Sequence, residues 1–170
     1  HRIGKEILAG TADAYRKLRN TFRYLLGALD GFSAAERVPT AEMPELERYI
    51  LHLTATLDAQ LRQAVADFDF NGYVRLLTDF ANNDLSAFFF DIRKDSLYCD
   101  APDAPKRRAY RTVLDLLFEA LVRWLAPVLP FTSEEAWTTR YPAAEGSVHL
   151  LTWPELETSW RNEALGARWA

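Results

Sequence analysis

The chain has 170 residues, 49% of them hydrophobic and 26% charged, with a net charge of −4. That balance belongs to a globular domain rather than a disordered segment, and its single cysteine, Cys99, excludes an intramolecular disulfide framework and a thiolate zinc cluster. No apolar run approaches the ~20 residues that span a bilayer, the opening "HRIGKEILAG" has no continuous hydrophobic region of a secretory leader, and seven glycines are sparse for a turn-rich sandwich or barrel.

One cysteine also points to a reducing compartment. The chain starts at His1 and ends in "NEALGARWA", which reads as a helix interrupted soon after it starts. A longer natural polypeptide is the expectation.

The first predicted element is a long helix over about residues 4–29. Leu8, Tyr15, Leu18, Phe22, Leu25 and Leu29 recur at threes, fours or their sums and make one apolar stripe. Asp30-Gly31 stops it. A loop with Ser33, Pro39 and Thr40 leads to Pro44, which suits the first turn of a second helix. That helix runs to about Phe68 on Leu46, Ile50, Leu53, Leu57, Leu61 and Val65, and "DFDFNG" then turns the chain.

A third helix is predicted from Asn71 to about Arg93. Val74, Leu77, Phe80, Leu85, Phe88 and Ile92 make it apolar on more than one side, which places it at the centre of a bundle. "CDAPDAP" breaks the pattern with two prolines. A fourth helix over about 104–126 follows Tyr110, Val113, Leu114, Leu117, Leu121 and Trp124, and Pro127 and Pro130 end or kink it. "TSEEAWTTRY" reads as a short helix with Thr132 or Ser133 as N-cap. "SVHLLTW" reads as extended. The fold class is all-α: a bundle of four to five main helices over 1–142, with an extended tail over 143–170 leading toward a further module.

Charge is distributed unevenly. Residues 1–29 carry +4 and residues 93–111 carry +3, whereas 30–92 carry −7 and 112–170 carry −4. An acidic chain with two concentrated basic segments can still bind a polyanion, because the local field governs the encounter. On the first helix, at 100° per residue, Arg16, Arg19, Asn20 and Arg23 share one strip beside the apolar stripe, and Gly27 extends it. Guanidiniums and an amide within two turns can fork onto phosphates and base edges. The second cluster is Arg93 and Lys94, then Lys106, Arg107, Arg108 and Arg111. Tyr98, predicted in the loop between them, is positioned to stack on an unpaired base. A solvated basic face and a tyrosine folded back on the bundle are the alternatives.

Catalytic patterns are weak. His1, His52 and His149 lie far apart without metal-ligand spacing, and Asp84, Asp91 and Asp95 have no acid–base partner in sequence. Neither common glycine-rich phosphate loop is present.

Taken together, "AYRKLRNTFRYLLGAL", "DLSAFFFDIRKDSLYCD", "RRAYRTVLDLLFEALVRWLAPVLPFTSEEAW" and "SVHLLTWPE" resemble, in order, the anticodon-binding helical domain of class I isoleucyl-tRNA synthetases. The resemblance covers nearly the whole chain and fits the isoleucyl type better than the valyl type. It implies a non-catalytic part of a ligase that joins isoleucine to its tRNA with ATP. The HIGH and KMSKS motifs, the editing domain and a cysteine-rich zinc module are absent from these residues. The resemblance therefore implies ATP, magnesium and zinc for the full-length enzyme, none of them for this chain. It further implies a monomeric, cytoplasmic protein whose partner is the anticodon stem-loop of isoleucine tRNA, with no DNA and no membrane. A helical protein–protein adaptor and a small helical enzyme are the competing readings.

Overall fold

The computed structural model describes the backbone of residues 2–170 and the side chains of 12–149 and 151–170. In chain order the helices are α1 (Arg2–Ala28), α2 (Glu45–Ala66), α3 (Phe70–Asp79), a π-helical run (Phe80–Phe90), α4 (Asp91–Cys99), α5 (Pro105–Leu125), α6 (Pro130–Arg140) and α7 (Glu163–Trp169). No strand occurs among the described residues, so the expected all-α bundle is what the chain forms.

The Leu8 side chain lies outside the described residues, among which the apolar stripe of α1 is buried at Leu18, Phe22, Leu25 and Leu29 and half-buried at Tyr15. It packs antiparallel on α5: Phe22 meets Phe118 edge-on at 6.1 Å, while Arg111 near the start of α5 reaches the Ala28 carbonyl at the end of α1. The centre of the bundle is α5, not the third helix. Tyr110, Val113, Leu114, Leu117, Phe118 and Trp124 are fully buried, and Ala109 and Ala120 let neighbours approach from other sides. Asp115, the buried carboxylate on this helix, is held by Arg37 at 2.6 Å and by Arg140. The charge therefore enters the interior already paired.

The third predicted helix is corrected in length and in phase. It continues to Cys99, six residues beyond Arg93, and its middle winds as a π-helix. An α-helical phase turns Leu85, Phe88 and Ile92 inward. The wider π turn instead buries Phe80, Ala81, Leu85, Phe89 and Phe90 at spacings of four and five, leaving Phe88 half-buried and Ile92 exposed. Phe89 meets Tyr110 edge-on at 5.0 Å, and Phe90 stacks on Tyr24 of α1 at 4.2 Å.

Two further expectations change. Pro130 opens α6 with Leu129 at its N-cap. Ser133 therefore falls inside the helix, fully buried, and its hydroxyl finds no partner among the described residues. "SVHLLTW" forms a 3₁₀ turn at Val148–Leu150, followed by irregular backbone. Ser147 accepts from the His149 N–H, and Glu134 accepts from the Ser147 hydroxyl and the Val148 N–H.

The residues after 142 fold back on the bundle. Trp153 donates to Asp58 at 2.8 Å, Trp160 is buried, and α7 lies on α2. His52 is the docking point, its Nδ1 accepting from the Asn162 N–H at 2.9 Å. A Cβ at Gly166 would stand 2.5 Å from the His52 Nε2, so only glycine permits this approach.

The phase of the π run makes a stability prediction. Phe89→Ala is expected to cost ~3–5 kcal/mol in urea denaturation, and Phe88→Ala clearly less. A larger loss at Phe88 contradicts the π phase and restores the α-helical one.

Candidate nucleic-acid interface

A basic side chain serves an external anion only if nothing inside the protein has engaged it. The ten sequence-predicted residues divide on this criterion.

Those on α1 point outward. Arg16, Arg19, Asn20 and Arg23 are exposed on the side away from the buried stripe. Arg16 pairs with its neighbour Asp13, one turn earlier, and both groups remain in solvent, where such a pair contributes little. Among the described residues, neither Arg19 nor Arg23 makes an ion pair. Both rim a shallow hollow of about 60 Å³ between α1 and α6, with Thr132, Glu135 and Thr139 across from them. Gly27 carries the strip on, and a Cβ there would meet nothing within 4 Å.

The second cluster splits. Lys94 is exposed and pairs with Asp91 one turn earlier. Lys106 is half-exposed and stands 3.9 Å from Asp100. Tyr98, expected in a loop, sits instead in the last turn of α4 with 81% of its surface exposed.

Arg93, Arg107 and Arg108 are engaged inside the protein. Arg93 donates from Nε and Nη2 to the two carboxylate oxygens of Glu47, at 2.9 and 2.8 Å. Glu47 is fully buried, and without this fork its charge would be stranded. The same hydrogen bonds raise the pKa of the Arg93 guanidinium further. Arg107 reaches the Leu97 and Pro102 carbonyls and so ties the α4–α5 loop to itself. Arg108 reaches the Glu36 and Ala35 carbonyls.

Arg111, counted with this cluster by charge, is 4% exposed and donates to the Ala28 and Asp30 carbonyls and to Glu36. A cation on the last carbonyls of α1 satisfies them and complements the helix dipole. The signal for Arg111 was its place beside the buried stripe of α5. Glu47 had a similar signal, lying in phase with Ile50, Thr54 and Leu61. Neither residue type reads as core on its own.

The structure brings the two outward groups to one edge. Tyr24, one turn after Asn20, stacks on Phe90, and its hydroxyl lies 2.6 Å from that of Tyr110. The end of the π run is therefore in contact with α1, and α4 continues from it. Burial raises the Tyr24 phenol above its ordinary pKa, the shared hydrogen bond with Tyr110 opposes that shift, and the nearby Tyr98 phenol adds to it. Arg16, Arg19, Asn20 and Arg23 thus border an edge that passes through Tyr24 to Lys94 and Tyr98. That edge can neutralise a sugar–phosphate backbone along α1 and offer an aromatic face to a base at its end.

Comparison with known proteins gives the family. Residues 47–168 match the family model described as the anticodon-binding domain of tRNA ligase. The isoleucine–tRNA ligase of Zymomonas mobilis is 63% identical over 174 residues, a match that takes in 99% of this chain and 18% of the relative. Those of Caulobacter vibrioides and Ruegeria pomeroyi are 58% and 57% identical, over 99% and 95% of this chain and 17% of each relative. The chain thus spans less than a fifth of the length of these curated relatives.

The Glu47–Arg93 fork carries its own prediction. Arg93→Ala leaves a buried carboxylate unpaired and is expected to cost ~3–5 kcal/mol in chemical denaturation, while Lys94→Ala leaves the midpoint where it is. Equal, small effects would return Arg93 to the set of free surface cations. The match over residues 47–168, in a chain whose described residues form an all-α bundle, shows that the chain belongs to the family of anticodon-binding domains of tRNA ligases.

Proposed function

We propose that this chain is the anticodon-binding part of an isoleucine–tRNA ligase, and that the α1–α4 edge lies against the anticodon stem-loop of isoleucine tRNA. The observation that carries the reading is the sorting of cations. Arg19 and Arg23 stand exposed on one helix face, and the Tyr24–Phe90 contact joins that face to the element bearing Lys94 and Tyr98. Arg19 and Arg23, with Arg16, neutralise phosphates and release counterions, Asn20 supplies an amide to a sugar or base edge, and Tyr98 stacks on an unstacked base. Lys94 and Lys106 add positive charge at that end.

The chain contributes positioning and identity reading. Activation of isoleucine with ATP and magnesium, and any zinc site, belong to the rest of the ligase. Among the described residues no group of three or more His, Cys, Asp or Glu is placed to hold a metal ion. The protein works in the cytoplasm as a monomer, and no helix described is long and apolar enough to cross a membrane.

The test is aminoacylation by the full-length enzyme carrying Arg19→Ala, Arg23→Ala or Tyr98→Ala, after each variant is shown to fold. An arginine on phosphate is expected to weaken all tRNAs alike and to reduce the salt slope of binding by roughly 1. Tyr98→Ala should cost ~1–3 kcal/mol, the stacking energy of one base. If all three leave kcat/KM and its dependence on the anticodon unchanged, the edge is not the reader.

A further inference from the structure

The turn between α2 and α3 holds its most exposed aromatic side chain at the left-handed position that closes α2, where the Phe68 and Asp69 N–H groups satisfy the last carbonyls of that helix. Phe68 has φ of 55°, the left-handed region that bulky side chains rarely enter, and 95% of its surface is exposed. Val65 and Phe70 beside it are 54% and 58% exposed. With Ala64, Tyr73, Pro127 and Trp153 they line an apolar groove of about 440 Å³. A contiguous exposed apolar patch of this kind marks a surface that another surface covers.

The groove is held in shape from beneath. The Asp69 N–H donates to the Ala64 carbonyl at 2.8 Å and the Phe68 N–H to Val65 at 3.1 Å. The Asp69 carboxylate accepts from the Gly72 N–H and caps α3, where a Cβ on residue 72 would collide with it at 2.1 Å. Tyr73 donates its hydroxyl to the Trp124 carbonyl. Trp153 is fixed by Asp58 and by the Arg62 guanidinium over its ring. A turn that rigid presents Phe68 outward by construction.

Charge and position select the occupant. The rim carries Asp67 and Asp69, and Arg62, whose guanidinium lies over the Trp153 ring, is already paired with Asp58. A phosphate backbone would be repelled here. The groove also lies at the far end of α5 from Lys106, since that helix, 21 residues long, places Pro127 about 30 Å away. The relatives that this chain matches carry more than four-fifths of their length outside the match. We infer that the Val65–Phe68–Phe70 groove is the seat on which another part of the same ligase polypeptide docks, through an apolar surface rimmed by basic side chains. Docking there would fix the bundle relative to the rest of the enzyme, and with it the distance between the anticodon and the site of aminoacylation.

This inference rests on the ligase reading, so aminoacylation of isoleucine tRNA by the unsubstituted full-length protein is measured alongside, and the two readings fail separately. With Cys99→Ser as background, Phe68→Cys and, in a second protein, Val65→Cys are labelled with a maleimide in the 170-residue chain and in the full-length ligase. Labelling at residue 65 or 68 is read by peptide mass spectrometry, so that other cysteines of the full-length protein do not count. Both thiols are expected to react at the rate of an exposed thiol in the 170-residue chain, and at least about tenfold more slowly in the full-length protein. Equal rates in the two proteins overturn the inference. So does protection of the 170-residue chain by added tRNA, which would make the groove an RNA surface. Protection that grows with the concentration of the 170-residue chain alone also overturns it, in favour of a second copy as the occupant.

Discussion

A guanidinium withdrawn from water must find acceptors, and in this bundle that requirement decides which basic side chains remain for an external polyanion. Arg93 forks onto buried Glu47, Arg111 closes the end of α1, and Arg107 and Arg108 hold loops through backbone carbonyls. Arg93 and Arg111 are needed where they are, because one serves a buried carboxylate and the other the last carbonyls of a helix. What is left over is organised. Arg16, Arg19 and Arg23 are exposed on the side of α1 away from its buried stripe, and the Arg111 contacts to Ala28 and Asp30 hold the end of that helix in place.

The π-helical run connects the internal requirement to the external surface. Its wider turn sends Phe89 into Tyr110 and Phe90 onto Tyr24, so the helix bearing Lys94 and Tyr98 is anchored to both α5 and α1. Carried on as an α-helix, the same residues would turn Phe88 and Ile92 inward and rotate everything beyond them. The placement of the outward aromatic at Tyr98 is thus a consequence of how three adjacent phenylalanines are shared between two neighbours.

Much of this was legible before any coordinates. The stripe on α1, the turn at Asp30-Gly31, the extent of α5 and the all-α class follow from apolar periodicity and from proline and glycine punctuation. The strip Arg16–Arg19–Asn20–Arg23 was legible for the same reason, since helical phase alone sorts it from the core. The π phase was not, because an apolar run such as "AFFF" satisfies either winding until a partner such as Tyr110 chooses between them. The roles of Arg93, Arg107 and Arg108 were hidden too: their partners are 46, 10 and 72 residues away in sequence. Ser133 had the composition of a cap, yet Pro130 started the helix earlier. The docking of α7 depended on His52 and Gly166 meeting across more than a hundred residues, which no local pattern announces.

The most direct measurement of this account is arginine footprinting of the 170-residue chain with phenylglyoxal, read by mass spectrometry with and without isoleucine tRNA. Without RNA, Arg16, Arg19 and Arg23 should be modified readily, while Arg93 and Arg111 resist. With RNA, Arg19 and Arg23 should become protected and Arg62 and Arg123 should be unaffected. Ready modification of Arg93 in the free protein, or unchanged modification of Arg19 and Arg23 in a saturated complex, would contradict it.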